Sequence, residues 1–68
     1  MNWHLIEGSW KQLKGLAGQR WGRLTDSDVG VIGGKKDVLV GKIQERYGIA
    51  KEMAEYQVQA WYKAVMKG

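Results

Sequence analysis

The chain has 68 residues, a net charge of +4 and no cysteine. This length predicts one small domain covering residues 1–68, and the lack of thiols excludes disulfide bonds and thiolate metal sites and suits a reducing cytoplasm. Residues 1–5 lack the basic and apolar run of a signal peptide, and no segment is long and apolar enough to predict a transmembrane helix. We therefore expect a cytoplasmic protein that does not enter a membrane.

The first predicted helix runs from Leu5 to Trp21. Its apolar residues recur at the spacing of a single helix face, at Ile6, Trp10, Leu13 and Ala17. Trp21 is followed by a glycine, which predicts a left-handed C-terminal cap at Gly22.

The second predicted helix is short and runs from Asp26 to about Ile32. Thr25 is a favourable N-cap, and Asp28 stands at the position from which an acidic side chain completes a capping box. Glycines at positions 30, 33 and 34 discourage the helix from continuing.

The third predicted helix runs from about Lys35 to Tyr47 and ends, like the first, in an aromatic residue followed by glycine. Its predicted core residues are Leu39, Val40, Ile43 and Tyr47. The glycines, leucines and terminal aromatic residues of this segment repeat those of the first at an offset of 26 positions. A repeat of two helical units predicts an all-α fold of four short helices arranged as two packed hairpins.

The last predicted helix begins near Ala50 and carries two apolar stripes. Winding it at about 100° per residue places Ala54, Val58, Trp61 and Val65 on one face. A second face, turned by about 130°, carries Ile49, Met53, Tyr56, Ala60 and Ala64. One stripe is sufficient to build the core, and the second is therefore a candidate contact surface.

The sequence offers little for catalysis or cofactor chemistry. His4 is the only histidine, no serine has a base at a recognisable spacing, and Glu52 with Glu55 is typical of a solvated helix face. No set of residues has the spacing of a metal site. We therefore predict no enzyme activity, no metal and no cofactor.

Two features leave nucleic-acid binding open. The segment 30–36 joins glycines to two lysines, but it lacks the Walker A spacing and is more typical of a tight connection between helices. Trp3, Tyr56 and Tyr62 fall outside the core stripes and are available for base stacking. However, the eleven Lys and Arg are spread along the chain rather than clustered, which makes nucleic acid an unlikely partner.

Three segments make the sequence resemble the CsbD-like family of small bacterial general-stress proteins. They begin at Trp10, Trp21 and Leu39, and read WKQLKG, WGRLTD and LVGKIQERYG. The similarity covers about residues 2–61. It implies two roughly orthogonal helical hairpins, expression under stress and no established enzymatic activity, and it supplies no catalytic residues to transfer.

The resemblance also implies that several apolar positions of this chain are usually charged or polar in the family: Leu16, Ala17, Gly18, Val38, Met53, Tyr56 and Ala60. Aligned apolar residues on one face are typical of a contact site. We therefore predict a protein-binding surface of Met53, Tyr56 and Ala60, flanked by Ile49 and Ala64. Leu16 and Val38 extend this predicted surface if their helices lie beside the last one.

The identity of the partner is open at this stage. The predicted surface suits a binder engineered on a natural scaffold, a natural protein partner, or a second copy of the chain. The alternative function is that of a cytoplasmic stress-response protein with weak nucleic-acid binding through its basic surface.

Overall fold

The computed structural model describes residues 2–67, which form five α-helices in these ranges: α1, His4–Gly8; α2, Trp10–Arg20; α3, Asp26–Ile32; α4, Lys36–Tyr47; α5, Lys51–Lys67. This part of the chain contains no strand, so the predicted all-α class is confirmed. The predicted count of four helices is wrong because the first helix is divided. The arrangement as two orthogonal hairpins stays a prediction.

The division falls at Ser9, whose backbone leaves the helical region at φ −108° and ψ 14°. Gly8 and Ser9 are both poor residues for a helix interior. The Ser9 carbonyl still accepts a hydrogen bond from the Leu13 amide at 3.0 Å, so α2 starts immediately after the break.

The connection between α3 and α4 packs closely on this break. A Cβ atom added to Gly34 would lie 2.8 Å from the Glu7 Cα and 3.0 Å from the Trp10 Cβ. Gly34 has φ +83°, and its carbonyl accepts a hydrogen bond from the Trp3 indole. Gly33 and Gly34 thus serve a tight connection between helices, the interpretation that the sequence favoured.

The start of α3 and the end of α4 agree with the local signals, whereas the end of α2 does not. Thr25 and Asp28 form the predicted capping box through two reciprocal hydrogen bonds of 3.0 Å. Gly48 ends α4 in the left-handed conformation, and its amide donates to the Gln44 carbonyl at 2.8 Å. The matching prediction for Gly22 is wrong, since the positive-φ residues among those described are Gly33, Gly34 and Gly48.

The core is built around Trp61 of α5. Its ring lies 5.6 Å from the ring of Trp21, 6.2 Å from that of Trp3 and 6.3 Å from that of Trp10. The other buried apolar residues are Ile6, Ala17, Leu24, Val29, Ile32, Leu39, Val40, Ile43, Ala54 and Val58. All four tryptophans therefore contribute to one aromatic cluster, which holds α5 against the N-terminal helices.

Two of the buried indole donors of this cluster have hydrogen-bond acceptors within the protein. Trp10 donates to the Val29 carbonyl and Trp21 to the Gln57 side chain, each at 3.0 Å. Buried polar groups without partners are costly, so these bonds also fix which way each ring is turned. No helix within residues 2–67 combines the length and apolar character needed to cross a bilayer.

Candidate interaction surface

The two stripes of α5 have the predicted arrangement in the structure. Ala54, Val58 and Trp61 are buried and form the inner face of the helix, with Val65 half-buried beside them. The outer face of α5 is defined here by four residues that are all exposed: Met53, Tyr56, Ala60 and Ala64.

Met53 and Tyr56 are among the most exposed large apolar side chains of the described residues. Their exposed fractions are 53% and 69%. Single exposed apolar residues are ordinary, but these two lie within one turn of each other and continue into two exposed alanines. The outer face is consequently a continuous apolar strip along α5 rather than a set of scattered positions.

Leu16 of α2 lies beside this strip. It is 45% exposed and lines an open groove of about 480 Å³ between α2 and α5, together with Ala64 and Val65. Arg20 forms part of the same groove and gives it a positively charged rim. The outer face and Leu16 therefore meet at Ala64.

A second, smaller hollow lies on the outer face itself. It has a volume of about 260 Å³ and is lined by Tyr56, Gln59, Ala60 and Lys63. The small side chain of Ala60 leaves this space open beside the large ring of Tyr56. The surface thus combines a projecting aromatic ring with a recess.

Two residues predicted for the surface do not belong to it. Ile49 and Val38 are half-buried and pack against the core. Ile49 precedes α5, so the helical spacing that placed it beside Met53 does not apply to it. Val38 lies in α4, which contacts both α3 and α5 and therefore has more than one side covered.

Of the three aromatic residues that fall outside the predicted core stripes, only Tyr56 is exposed. Trp3 and Tyr62 are half-buried and stack on each other with ring centres 5.8 Å apart. The Tyr62 hydroxyl also accepts a hydrogen bond from the Asn2 amide at 2.9 Å. These two rings fasten the N-terminal segment to α5 and are not available for stacking on bases.

The charged residues beside the outer face differ in sign between its two ends. Glu52 lies in the first turn of α5, and Lys67 lies in the last turn with Lys63 one turn earlier. Glu52 and Lys63 are eleven residues apart, close to three full turns, and therefore lie on the same side of the helix. The N-terminal end of the surface is acidic and its C-terminal end is basic.

A buried charged side chain, that of Asp28, lies at the contact between α3 and α4. The Asp28 carboxylate is 4% exposed and accepts hydrogen bonds from the Arg46 guanidinium at 2.8 and 3.0 Å. Lys42 lies 3.5 Å from the same carboxylate. The sequence indicated only the bond to Thr25, because no local pattern joins residues 18 positions apart.

This cluster sets the ionisation of both partners. The hydrogen bonds from Arg46 and from the Thr25 backbone hold the pKa of Asp28 well below its usual range. The same contact raises the pKa of Arg46. The Asp28 carboxylate thus caps the start of α3 through Thr25 and holds α3 on α4 through Arg46, and both tasks are structural.

The chain is similar to a known protein family and to several bacterial proteins. A family model described as CsbD-like matches residues 4–56. A UPF0337 protein of Pectobacterium atrosepticum is 57% identical over 61 residues, covering 90% of this chain and 88% of that protein. The UPF0337 protein YjbJ of Escherichia coli K12 is 54% identical with the same coverage, and that of Salmonella typhimurium is 56% identical over 90% of this chain and 87% of its own. No solved structure gives a significant match.

Proposed function

The chain belongs to the CsbD-like family, and on this basis we propose that it is a cytoplasmic stress-response protein that acts by binding another protein through the outer face of α5. The stress-response part follows from the family, since that role is what the sequence resemblance implies. The binding part follows from the exposed apolar surface.

The comparisons favour the natural role over an engineered one. The relatives are bacterial proteins that share more than half of the aligned residues, and their similarity extends over nine-tenths of this chain. The hypothesis of a binder engineered on a natural scaffold has no support from them. The alternative interpretation of the sequence, a stress-response protein, fits them better.

One observation supports binding above the rest, the 69% exposure of Tyr56 within a continuous apolar strip. The inner face of α5 already contributes Ala54, Val58 and Trp61 to the core, so folding does not require the outer face. A large apolar surface that is not used in folding exposes its area to water at a cost. Contact with a partner removes that cost.

We propose that this action involves no catalysis. The best-positioned carboxylate, that of Asp28, is occupied by structural bonds to Thr25 and Arg46. A general acid or base needs a free lone pair or proton within reach of a substrate. The groove beside Leu16 is lined mainly by apolar and amide side chains, with Arg20 as its charged member.

The basic surface supports nucleic-acid binding less well. Lys35 pairs with Glu7 at 3.2 Å, and Lys42 and Arg46 both lie against Asp28. These contacts use part of the positive charge within the protein. Binding through phosphates would weaken steeply as salt rises, so a fluorescence titration with DNA at two salt concentrations tests this alternative directly.

In-cell photocrosslinking tests the proposed binding surface. Tyr56 is replaced by the photoreactive aromatic residue p-benzoylphenylalanine, and Val31 receives the same replacement as a matched control. Val31 is 65% exposed but lies on α3 rather than on α5. We expect protein adducts from position 56 and few from position 31. Equal yields at the two positions would contradict the proposal.

A further inference from the structure

We propose that the partner of the outer face is a second copy of this chain, and that the two α5 helices pair antiparallel. This inference depends on the proposed function, since it names the partner of the same surface. Two features of the outer face support it: the order of large and small side chains along α5, and the opposite charges at the two ends of the face.

The size complementarity comes from the order of large and small residues along α5. In a symmetric pair, every contact occurs twice, with the two residues exchanged between the copies. An antiparallel pair with its two-fold axis near Ala60 places Tyr56 of one copy over the small residues Ala60 and Ala64 of the other. The hollow of about 260 Å³ beside Tyr56 gives the ring of the second copy a place to enter.

A parallel pair lacks this match. It would place the ring of Tyr56 against the ring of Tyr56 in the second copy, and the alanines against each other. The two tyrosine rings would hold the helices apart at their own level, and the small alanines would leave a gap between the helices further along. Because close packing is what stabilises a helix pair, the antiparallel arrangement is favoured.

The charge complementarity selects the same direction. Glu52 borders the N-terminal end of the outer face, while Lys63 and Lys67 border its C-terminal end. Antiparallel pairing brings Glu52 of each copy towards these lysines of the other. Parallel pairing would instead place both glutamates at one end of the pair and all four lysines at the other. Exposed charge pairs add little affinity, but they strongly affect the choice of orientation.

The size of the surface predicts a weak pair. The outer face with Leu16 buries about 500–700 Å² on each copy, which lies at the small end of specific interfaces. Each copy also carries a net charge of +4, so the two repel at long range. We expect monomers at about ten micromolar and pairs at several hundred micromolar, because small interfaces have little free energy left after the cost of association.

Sedimentation equilibrium over that concentration range tests the pairing. We expect wild type to move from monomer to dimer, Tyr56→Glu and Met53→Glu to stay monomeric, and Val31→Glu to behave as wild type. Far-UV circular dichroism checks that each variant is folded. A wild-type protein that stays monomeric throughout, or a folded Tyr56→Glu variant that still dimerises, would overturn the proposal.

Charge exchange tests the direction of pairing. Glu52→Lys alone and Lys63→Glu with Lys67→Glu each place like charges across an antiparallel pair, and we expect each to raise the dimer dissociation constant at least about threefold at low salt. Combining all three substitutions restores opposite charges and returns the constant towards wild type. Failure of the combination to restore pairing would contradict the antiparallel arrangement.

The mass of the crosslinked adducts separates this inference from the proposed function. An adduct of twice the chain mass from position 56 supports self-pairing. Adducts of other masses, together with a monomer in the centrifuge, would overturn self-pairing and leave the binding surface intact. Absence of any adduct specific to position 56 would overturn both.

Discussion

Ala54 and Ala60 lie six residues apart on α5 and have identical side chains, yet Ala54 is fully buried and Ala60 is exposed. The same contrast holds for the aromatic residues, since Trp61 is 6% exposed and Tyr56 is 69% exposed. The inner and outer faces are thus similarly apolar. What distinguishes them is the aromatic cluster, which covers one face and does not extend to the other.

The strongest test of this contrast introduces the same charge on each face. Ala54→Glu buries a carboxylate without a partner, which costs about 3–5 kcal/mol and exceeds what a domain of this size is expected to tolerate. Ala60→Glu places the same group in water and changes the free energy of unfolding by less than about 0.5 kcal/mol. Far-UV circular dichroism with thermal melting measures both. Similar melting curves for the two variants would show that the faces are not distinct.

Truncating one aromatic residue on each face is expected to give a difference of similar size. Trp61→Ala removes the ring that contacts Trp3, Trp10 and Trp21, and we expect a loss of about 3–5 kcal/mol. Tyr56→Ala removes an exposed ring and costs less than about 0.5 kcal/mol. Urea unfolding of the two variants at low protein concentration checks this. A large loss for Tyr56→Ala would assign its ring to the core.

We expect acid to destabilise the fold behind the inner face of α5, because protonation of Asp28 weakens its bond to Arg46. The inner face packs on α4, and Arg46 of α4 is bonded to Asp28. Because the folded-state pKa of Asp28 lies below its unfolded value of about 3.9, its stabilisation is complete above about pH 4 and is lost as the pH falls below that value. We expect the melting temperature to fall between about pH 4 and pH 2.

The matched variant for this prediction is Asp28→Asn. At pH 7 we expect its melting temperature to be lower by about 5–10 °C, because the charged bond to Arg46 is lost. Its further decrease in acid should be smaller than that of wild type. Parallel pH profiles for the two proteins would exclude Asp28 as the source of the acid sensitivity.

The smallest expected effect is that of a substitution at Leu16, beside the outer face. Leu16→Lys places a charge at a position where the family resemblance implies one, and it should change the free energy of unfolding by less than about 0.5 kcal/mol. If the surface extends onto α2, dimerisation in the centrifuge weakens, but less than in Tyr56→Glu. Unchanged dimerisation would restrict the surface to α5.

Local signals in the sequence were sufficient wherever the decisive bonds are local. The capping box of α3 joins residues three apart, so Thr25 and Asp28 predicted it correctly. Trp21–Gly22 and Tyr47–Gly48 have the same pattern, but only the second ends in a left-handed glycine. Trp21 is fully buried and hydrogen-bonded to Gln57, and its backbone is extended at φ −120° and ψ 80°, whereas Tyr47 is only half-buried.

The predictions for the candidate surface likewise succeeded within one helix and failed where they depended on neighbouring elements. Helical spacing correctly grouped Met53, Tyr56, Ala60 and Ala64 on one face of α5, because all four lie within a single helix. It failed for Ile49 and Val38, whose exposure depends on where the helix begins and on which neighbours cover it. It also could not show that Arg46 would reach Asp28.

The sequence by itself therefore determined the all-α class, the capping box of α3 and the division of α5 into two apolar faces, since helix periodicity and capping act over a few residues. Only the tertiary structure decided which of those faces is covered. It did so by bringing three distant tryptophans onto Trp61 and by placing Leu16 beside Ala64. Burial is a property of neighbours that are far apart in the chain, and for that reason spacing alone does not specify it.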